Sequence, residues 1–284
     1  MGKIVYLNGE WLPSDKATVS VEDRGFLFAD GVYEVVCCFN GIPFEIEPHL
    51  ARLRNSLEGI RLDPGFDVDS FESITRELMR RNDMPNMLGY WQITRGAAPR
   101  DHAFPSNVQP TVVAIPYEIK AFNRQTMIQQ FTAGTVNDDR WHRCDIKSIS
   151  LLPNVLATDT ALNAGYDAAI LLRDDIVTEA PAKTIWMVRG GGVTCHPLGN
   201  HILPSVTRAI ALEICEELEI PVVQTSVSRD ELYQMDEVMS LSTTTPIAAI
   251  TEVDGHVIGT GRVGPITERL FNAYKHRVVT VCGG

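Results

Sequence analysis

The chain has 284 residues, 44% of them hydrophobic and 21% charged, which is length enough for one large domain or two of ordinary size with a substantial core. Its 36 acidic residues outnumber 25 basic ones for a formal charge of −11, disfavouring nucleic acid or an anionic membrane as a bulk partner. No run of about 18 apolar residues predicts a membrane span, and the start MGKIVYLNGEW lacks the apolar stretch of a secretory signal.

A cytoplasmic protein is therefore expected. The six cysteines (Cys37, Cys38, Cys144, Cys195, Cys215 and Cys282) are scattered without a CxxC pair or a ligand-like spacing with histidine. That usage points to reduced thiols and to no metal site.

In chain order, KIVYLNGEWL and GVYEVVCCFNGIPFEI carry β-branched and aromatic residues around Asn-Gly turns, so each predicts a hairpin. Leu50, Leu53, Leu57 and Ile60, then Val68, Phe71, Ile74 and Leu78, recur at helical spacing and predict two amphipathic helices. MLGYWQITRG and PTVVAIPYEI return to strand character, making residues 1–118 an α+β domain. The polar, aperiodic stretch around EIKAFNRQTM predicts a linker over 119–131. Residues 132–284 then alternate strands (AAILLRDD, TIWMVRGGGVTCHP, EVMSLST) with helices (LLPNVLATDTALNAG, VTRAIALEICEELEI), a second domain of α/β character.

Lys147 stands out in CDIKSISLLPNVLA because an ammonium group there is surrounded by residues that read as buried. A strand-end lysine that snorkels to water, or pairs with Asp145, accounts for it structurally. The chemical alternative is a desolvated amine able to form a Schiff base with an aldehyde cofactor. In HILPSVTRAIALE, Ser205 precedes a helical run and leaves the N–H groups of Val206 and Thr207 free for a phosphate, although plain helix capping explains the same residues. STTTP at 242–246 is a hydroxyl-rich corner, and Arg52 offers a forked donor among the leucines of its helix. No GxxxxGK[ST] loop is present. TRGAAPRDHAFP, residues 94–105, holds Arg95, Arg100 and His102 in an aperiodic loop, which suits either solvated charge or a carboxylate receiver.

Together EDRGFLFADGVYEVV, HLARL, TRGAAPRDHAFP, CDIKSISLLPNVLA, VTEA, HILPSVTR, LSTTT and EVDGHVIGTGRVGPIT resemble, in order and spacing, the fold-type IV (class IV) pyridoxal-phosphate-dependent aminotransferases, and among them the bacterial D-amino-acid transaminases. The resemblance implies an α+β N-terminal domain and an α/β, barrel-like C-terminal domain. It implies that Lys147 carries pyridoxal 5'-phosphate and moves the substrate proton, and that Glu179 keeps the pyridine nitrogen protonated. Arg52, Val206, Thr207, Ser242 and Thr243 match phosphate-binding positions. Tyr33, Arg100 and His102 match the receivers of the substrate carboxylate, with the loop of the last two reaching in from the neighbouring subunit of a homodimer. The implied reaction is ping-pong transfer of an amino group from a D-amino acid, such as D-alanine or D-glutamate, to a 2-oxo acid.

Branched-chain L-amino-acid transaminases and aminodeoxychorismate lyases share the cofactor motifs but generally lack the R-x-H pair, and they remain alternatives, as does a catalytically weakened cofactor-binding homologue. Three departures bear on activity: Pro181 to Thr184 replace a serine-rich stretch, Ala168 stands where an acid is typical, and Pro246 where a glutamate is common. Lys183, four residues after Glu179, faces either the substrate side, where it favours acidic side chains, or the surface.

Overall fold

The computed structural model describes residues 2–120 and 127–283. These divide into two compact units: one of residues up to 124 together with Ile146–Ser150 and Val278–Gly284, the other of Gln125–Asp145 and Leu151–Arg277. Of the stretch expected to link two domains, residues 121–126 lie outside the described residues, and a strand already begins at Gln130.

The first unit contains β1 (Ile4–Leu7), β2 (Glu10–Pro13), the short α1 (Arg24–Phe28), β3 (Gly31–Phe39), β4 (Ile42–Pro43), α2 (Ile46–Gly59), α3 (Ser70–Asn82), β5 (Met87–Thr94) and β6 (Thr111–Glu118). Its six strands form one sheet in the order β2-β1-β6-β5-β3-β4. Both Asn-Gly turns close hairpins, with positive φ at Asn8, Gly9, Asn40 and Gly41, the backbone that a two-residue turn demands. The apolar stripes of α2 and α3 meet one face of this sheet. Leu50, Leu53, Leu57, Phe71 and Leu78 pack with Val32, Val36, Trp91, Ile93 and Ala114 in a single buried cluster. Burial of each such side chain stabilises by about 1.5–3 kcal/mol.

The second unit holds β7 (Gln130–Asn137), α4 (Leu152–Asn163), β8 (Ala168–Arg173), β9 (Ile176–Val177), β10 (Thr184–Arg189), β11 (Gly192–Cys195), α5 (Val206–Glu217), β12 (Val222–Gln224), α6 (Arg229–Leu232), β13 (Glu237–Leu241), β14 (Ala248–Val253), β15 (His256–Val257) and most of α7 (Pro265–Cys282). Its strands run β12-β11-β10-β13-β14-β7-β8-β9, with β15 paired to β14. The pairs β11/β12, β14/β7 and β7/β8 are parallel and the others antiparallel. This mixed sheet curls as half a barrel, in keeping with the barrel-like expectation. Ile170, Leu172, Ile185, Met187, Val238 and Ile250 form the core beneath it.

Candidate active site

In the first unit, the alternation of β3 puts Val32, Glu34 and Val36 on the face covered by the helices and Tyr33 on the other. Glu34 is fully buried. An isolated carboxylate would not be tolerated there, and α2 supplies its partners at helical spacing. Arg52 Nε donates to Glu34 Oε2 at 2.8 Å, Arg52 Nη2 donates to Oε1 at 2.6 Å, and His49 Nδ1 lies 3.1 Å from Oε1. Burial opposes ionisation of Glu34, but the charge and hydrogen bonds of Arg52, with His49, outweigh it and hold the carboxyl far below its ordinary range. Burial pushes the His49 imidazole down, against the pull of Glu34. Arg52, expected at a phosphate, thus has two of its nitrogens on Glu34.

One turn further along α2, Ser56 Oγ accepts the Lys147 N–H at 3.1 Å, while the Lys147 carbonyl accepts the Tyr33 N–H at 3.0 Å. Val32 and Ser148 form an antiparallel bridge, and the Ile149 N–H donates to the Gly31 carbonyl. The lysine is therefore fixed by its backbone beside the start of β3. It is half-buried, with Nζ 4.1 Å from the centroid of the Tyr33 ring. Among the described residues no carboxylate pairs with it, and Asp145 turns instead to Arg143 at 2.9 Å. Tyr33 stacks on Tyr90, with centroids 5.6 Å apart.

Arg100 and His102 are both exposed. They flank the Phe28 ring of α1, the guanidinium carbon 5.1 Å and the imidazole centroid 5.4 Å from it. Among the described residues of one chain, no contact joins either of them to Tyr33.

In the second unit, Glu179 follows β9 and is held beside β8, where the Leu171 N–H donates to its carbonyl at 2.8 Å. Its buried carboxylate Oε1 accepts Arg140 Nη1 at 2.6 Å and the Leu203 N–H at 3.1 Å. Arg140 is itself anchored: Nε and Nη2 each reach Asp138 at 2.8 Å, and Thr178 Oγ1 donates to the same carboxylate. Burial pushes the Glu179 carboxyl above its ordinary value, while Arg140 and the Leu203 N–H pull it down and Asp138 pushes it further up. An acid balanced in this manner gains strongly from one more cation.

Ser205 caps α5, its Oγ accepting the Arg208 N–H at 3.2 Å. The N–H groups of Val206 and Thr207 are thereby left at the helix start without an intrahelical acceptor. Ser242 follows β13 and closes a turn on itself, donating Oγ to the Thr245 carbonyl and accepting the Thr245 N–H, both at 3.1 Å. Thr243 sits half-buried in that turn, and Pro246 is buried behind it. The departure at 181–184 forms a tight turn, with an Ala180–Lys183 bridge and Asn154 Nδ2 donating to the Pro181 carbonyl at 2.5 Å. Lys183 rests its ammonium 4.3 Å from the Phe131 ring centroid. Ala168 opens β8 opposite Ala133.

The family model described as Amino-transferase class IV matches residues 31–253. The chain belongs to the class IV aminotransferases. It is 37% identical over 276 residues to the D-alanine aminotransferase of Staphylococcus haemolyticus, covering 95% of this chain and 97% of that relative. It is 36% identical to the D-alanine aminotransferase of Bacillus licheniformis, with 97% of each chain covered. Among solved structures it is similar to the branched-chain amino acid aminotransferase of Escherichia coli, with a TM-score of 0.90, 24% identity and coverage of 96% of this chain and 94% of that one. It is also similar to a T.th. branched-chain amino acid aminotransferase complexed with N-(5'-phosphopyridoxyl)-L-glutamate, with a TM-score of 0.90, 23% identity and coverage of 99% and 95%. Those identities establish a common fold, that of the fold-type IV enzymes.

Three residues bonded around the expected site positions escape sequence reasoning: Glu34 on Arg52, Arg140 on Glu179 and Asp138 on Arg140. Glu34 had a signal, because it falls in phase with Val32 and Val36 on the apolar face of its strand. Arg140 and Asp138 lie in the charged run NDDRWHR, which reads as surface.

Proposed function

We propose that this class IV aminotransferase uses pyridoxal 5'-phosphate to transfer the amino group of a D-amino acid, D-alanine first among them, to a 2-oxo acid. The observation that carries this reading is the 35–37% identity, over at least 95% of the chain, to relatives named D-alanine aminotransferase. The R-x-H loop at Arg100 and His102 agrees with it. The branched-chain enzymes with solved structures are more distant in sequence, at 24% and 23% for the two described above.

The donor set fits the cofactor. A lysine with no carboxylate partner among the described residues, a buried acid that gains from an added cation, and helix-start N–H groups are what an aldehyde, a ring nitrogen and a phosphate require. The bound cofactor supplies an aldehyde that takes up the amino group and a cationic ring that accepts the electron pair left when the substrate Cα–H bond breaks.

The protein's own groups divide the remaining work. Lys147 would hold the cofactor through its side-chain amine and, as the free amine, would carry the proton between the substrate Cα and the cofactor carbon in each half-reaction. Glu179, kept in place by Arg140 and the Leu203 N–H, holds the proton on the ring nitrogen. A neighbouring carboxylate raises that nitrogen's affinity for its proton by about one to three pKa units, or about 1.4–4 kcal/mol. Val206 and Thr207 at the start of α5, with Ser242, Thr243 and Arg52, bind the phosphate. The Glu34 contact orients the guanidinium of Arg52 for that task. Tyr33, Arg100 and His102 receive the substrate carboxylate and thereby choose which face of Cα meets Lys147.

The exposure of Arg100 and His102, with no contact to Tyr33 among the described residues of one chain, supports a homodimer in which this loop serves the neighbouring copy. Among the described residues no disulfide joins any of the six cysteines, which supports a reducing, cytoplasmic setting. No helix among the described residues is long and apolar enough to cross a membrane. Assaying D-alanine and L-leucine side by side with 2-oxoglutarate tests the reading: turnover of D-alanine alone supports it, and turnover of L-leucine alone overturns it. Pyruvate release from aminodeoxychorismate without an acceptor would indicate a lyase instead.

A further inference from the structure

We propose that Arg24 and Phe28, at the two ends of α1, are positioning residues that set the Arg100–His102 pair for the substrate carboxylate. The inference rests on the carboxylate role given to that pair above. Arg100 and His102 are exposed and have no carboxylate partner among the described residues, so nothing in their own side-chain bonding fixes them. Left alone, an arginine on a surface loop keeps its rotamer freedom, which binding must then remove.

What fixes them is α1. Arg24 is 3% exposed, and its Nη1 donates to the carbonyl of Asp101, the residue between the two receivers, at 2.6 Å. Its Nε donates to Asp30 Oδ2 at 2.8 Å, and that oxygen also accepts Arg95 Nε at 2.8 Å, at the opening of the same loop. Arg95 in turn donates to the carbonyls of Ile60 and Arg61. The backbone adds two more ties, Arg24 N–H to the Gly96 carbonyl at 2.9 Å and Ala98 N–H to the Glu22 carbonyl at 3.2 Å.

Phe28 lies four residues after Arg24, one helical turn on. Its ring takes the Arg24 guanidinium at 4.8 Å, the Arg100 guanidinium at 5.1 Å and the His102 ring at 5.4 Å. Three groups that would otherwise repel one another when charged share one ring, and the ring's quadrupole favours cations there. A lysine at position 24 would keep the charge but lose the fork that reaches Asp30 and Asp101 at once. Arg24 itself does not touch substrate, since Nε and Nη1 are already committed to the protein.

The test uses the cofactor-loaded enzyme with Arg24→Lys, Phe28→Leu and Arg100→Ala. It measures kcat and KM for D-alanine and 2-oxoglutarate, and the single-turnover rate with D-alaninol, which lacks the carboxylate. Arg24→Lys and Phe28→Leu should each raise both KM values about tenfold, with kcat within about twofold and the D-alaninol rate unchanged. A role confined to stability would lower the melting temperature and leave that split unmoved. Unchanged KM values in both variants, or a parallel loss with D-alaninol, would overturn the proposal. If Arg100→Ala raises KM while the α1 variants do not, positioning alone falls; if Arg100→Ala changes nothing, the carboxylate role falls with it. Should Arg24→Lys fail to fold, Phe28→Leu, at a half-buried position outside the ion pairs, decides the matter.

Discussion

Glu34 grips Arg52 through two hydrogen bonds, at 2.6 and 2.8 Å, with the carboxylate fully buried and the guanidinium nearly so. A buried pair of this kind is weak evidence of net stabilisation, but breaking it leaves one charge without its partner. Glu34→Ala should therefore cost about 3–5 kcal/mol in urea or guanidinium unfolding. Replacing both residues by methionine should cost markedly less than the single change, because no orphaned charge remains.

The same pairs set the response to acid. Burial opposes ionisation of Asp138, but Arg140, Thr178 and Arg173 together outweigh it and hold the carboxyl down at about 2. Glu34, despite its burial, is likewise held below its ordinary range by Arg52 and His49. A carboxylate depressed in the folded state contributes stability above its unfolded value, and that contribution is lost as pH falls through the folded value. For Asp138 the window runs from the ordinary 3.8 down to about 2. Asp138→Asn should flatten this part of the stability profile measured by denaturant titration at stepped pH, and an unaltered slope would show that Asp138 does not contribute.

Glu179 carries the opposite sign in the cofactor-free protein. Its raised carboxyl, the result of burial first, should make the apo form gain stability as pH falls through the folded value toward 4.5. Glu179→Gln should still bind cofactor yet lower kcat about 10- to 1,000-fold, the equivalent of the lost support for the ring proton. Cofactor uptake followed by absorbance, with steady-state rates, checks both halves.

Trp91 anchors the first unit's core. It is fully buried, stacks on Phe71 at 4.8 Å between centroids, and donates Nε1 to Thr75 Oγ1 at 2.9 Å. Trp91→Ala should cost about 3–5 kcal/mol. Thr75→Val, which strands the indole N–H, should cost about 1–3 kcal/mol. Equilibrium unfolding of the two variants measures both.

Most strands, the hairpins and helices α2 and α3 were legible because their periods are local: Asn40-Gly41 turns a hairpin and Leu50, Leu53 and Leu57 mark a face without reference to distant residues. The stretch expected to be a linker runs into β7, whose polar QFTAGTVN becomes a strand only because β14 and β8 flank it in parallel. The long α7 had its signal in Ile266, Leu270, Tyr274 and Val278, an i, i+4 stripe buried in the structure. For the candidate site, Lys147 and Glu179 are singled out as cofactor residues by the resemblance alone. Arg140 was not legible, because only the folded sheet brings it from a charged loop onto Glu179, 39 residues away. The commitment of Ser242 Oγ to its own turn is likewise a matter of backbone geometry that spacing does not report.

Exchange of the Cα proton in heavy water tests the chemistry at its source. The holoenzyme, followed by proton NMR, should wash out the Cα signal of D-alanine while leaving that of L-leucine intact, and Lys147→Ala should abolish the exchange. Exchange of L-leucine in place of D-alanine, or undiminished exchange by the Lys147→Ala protein, would contradict the account.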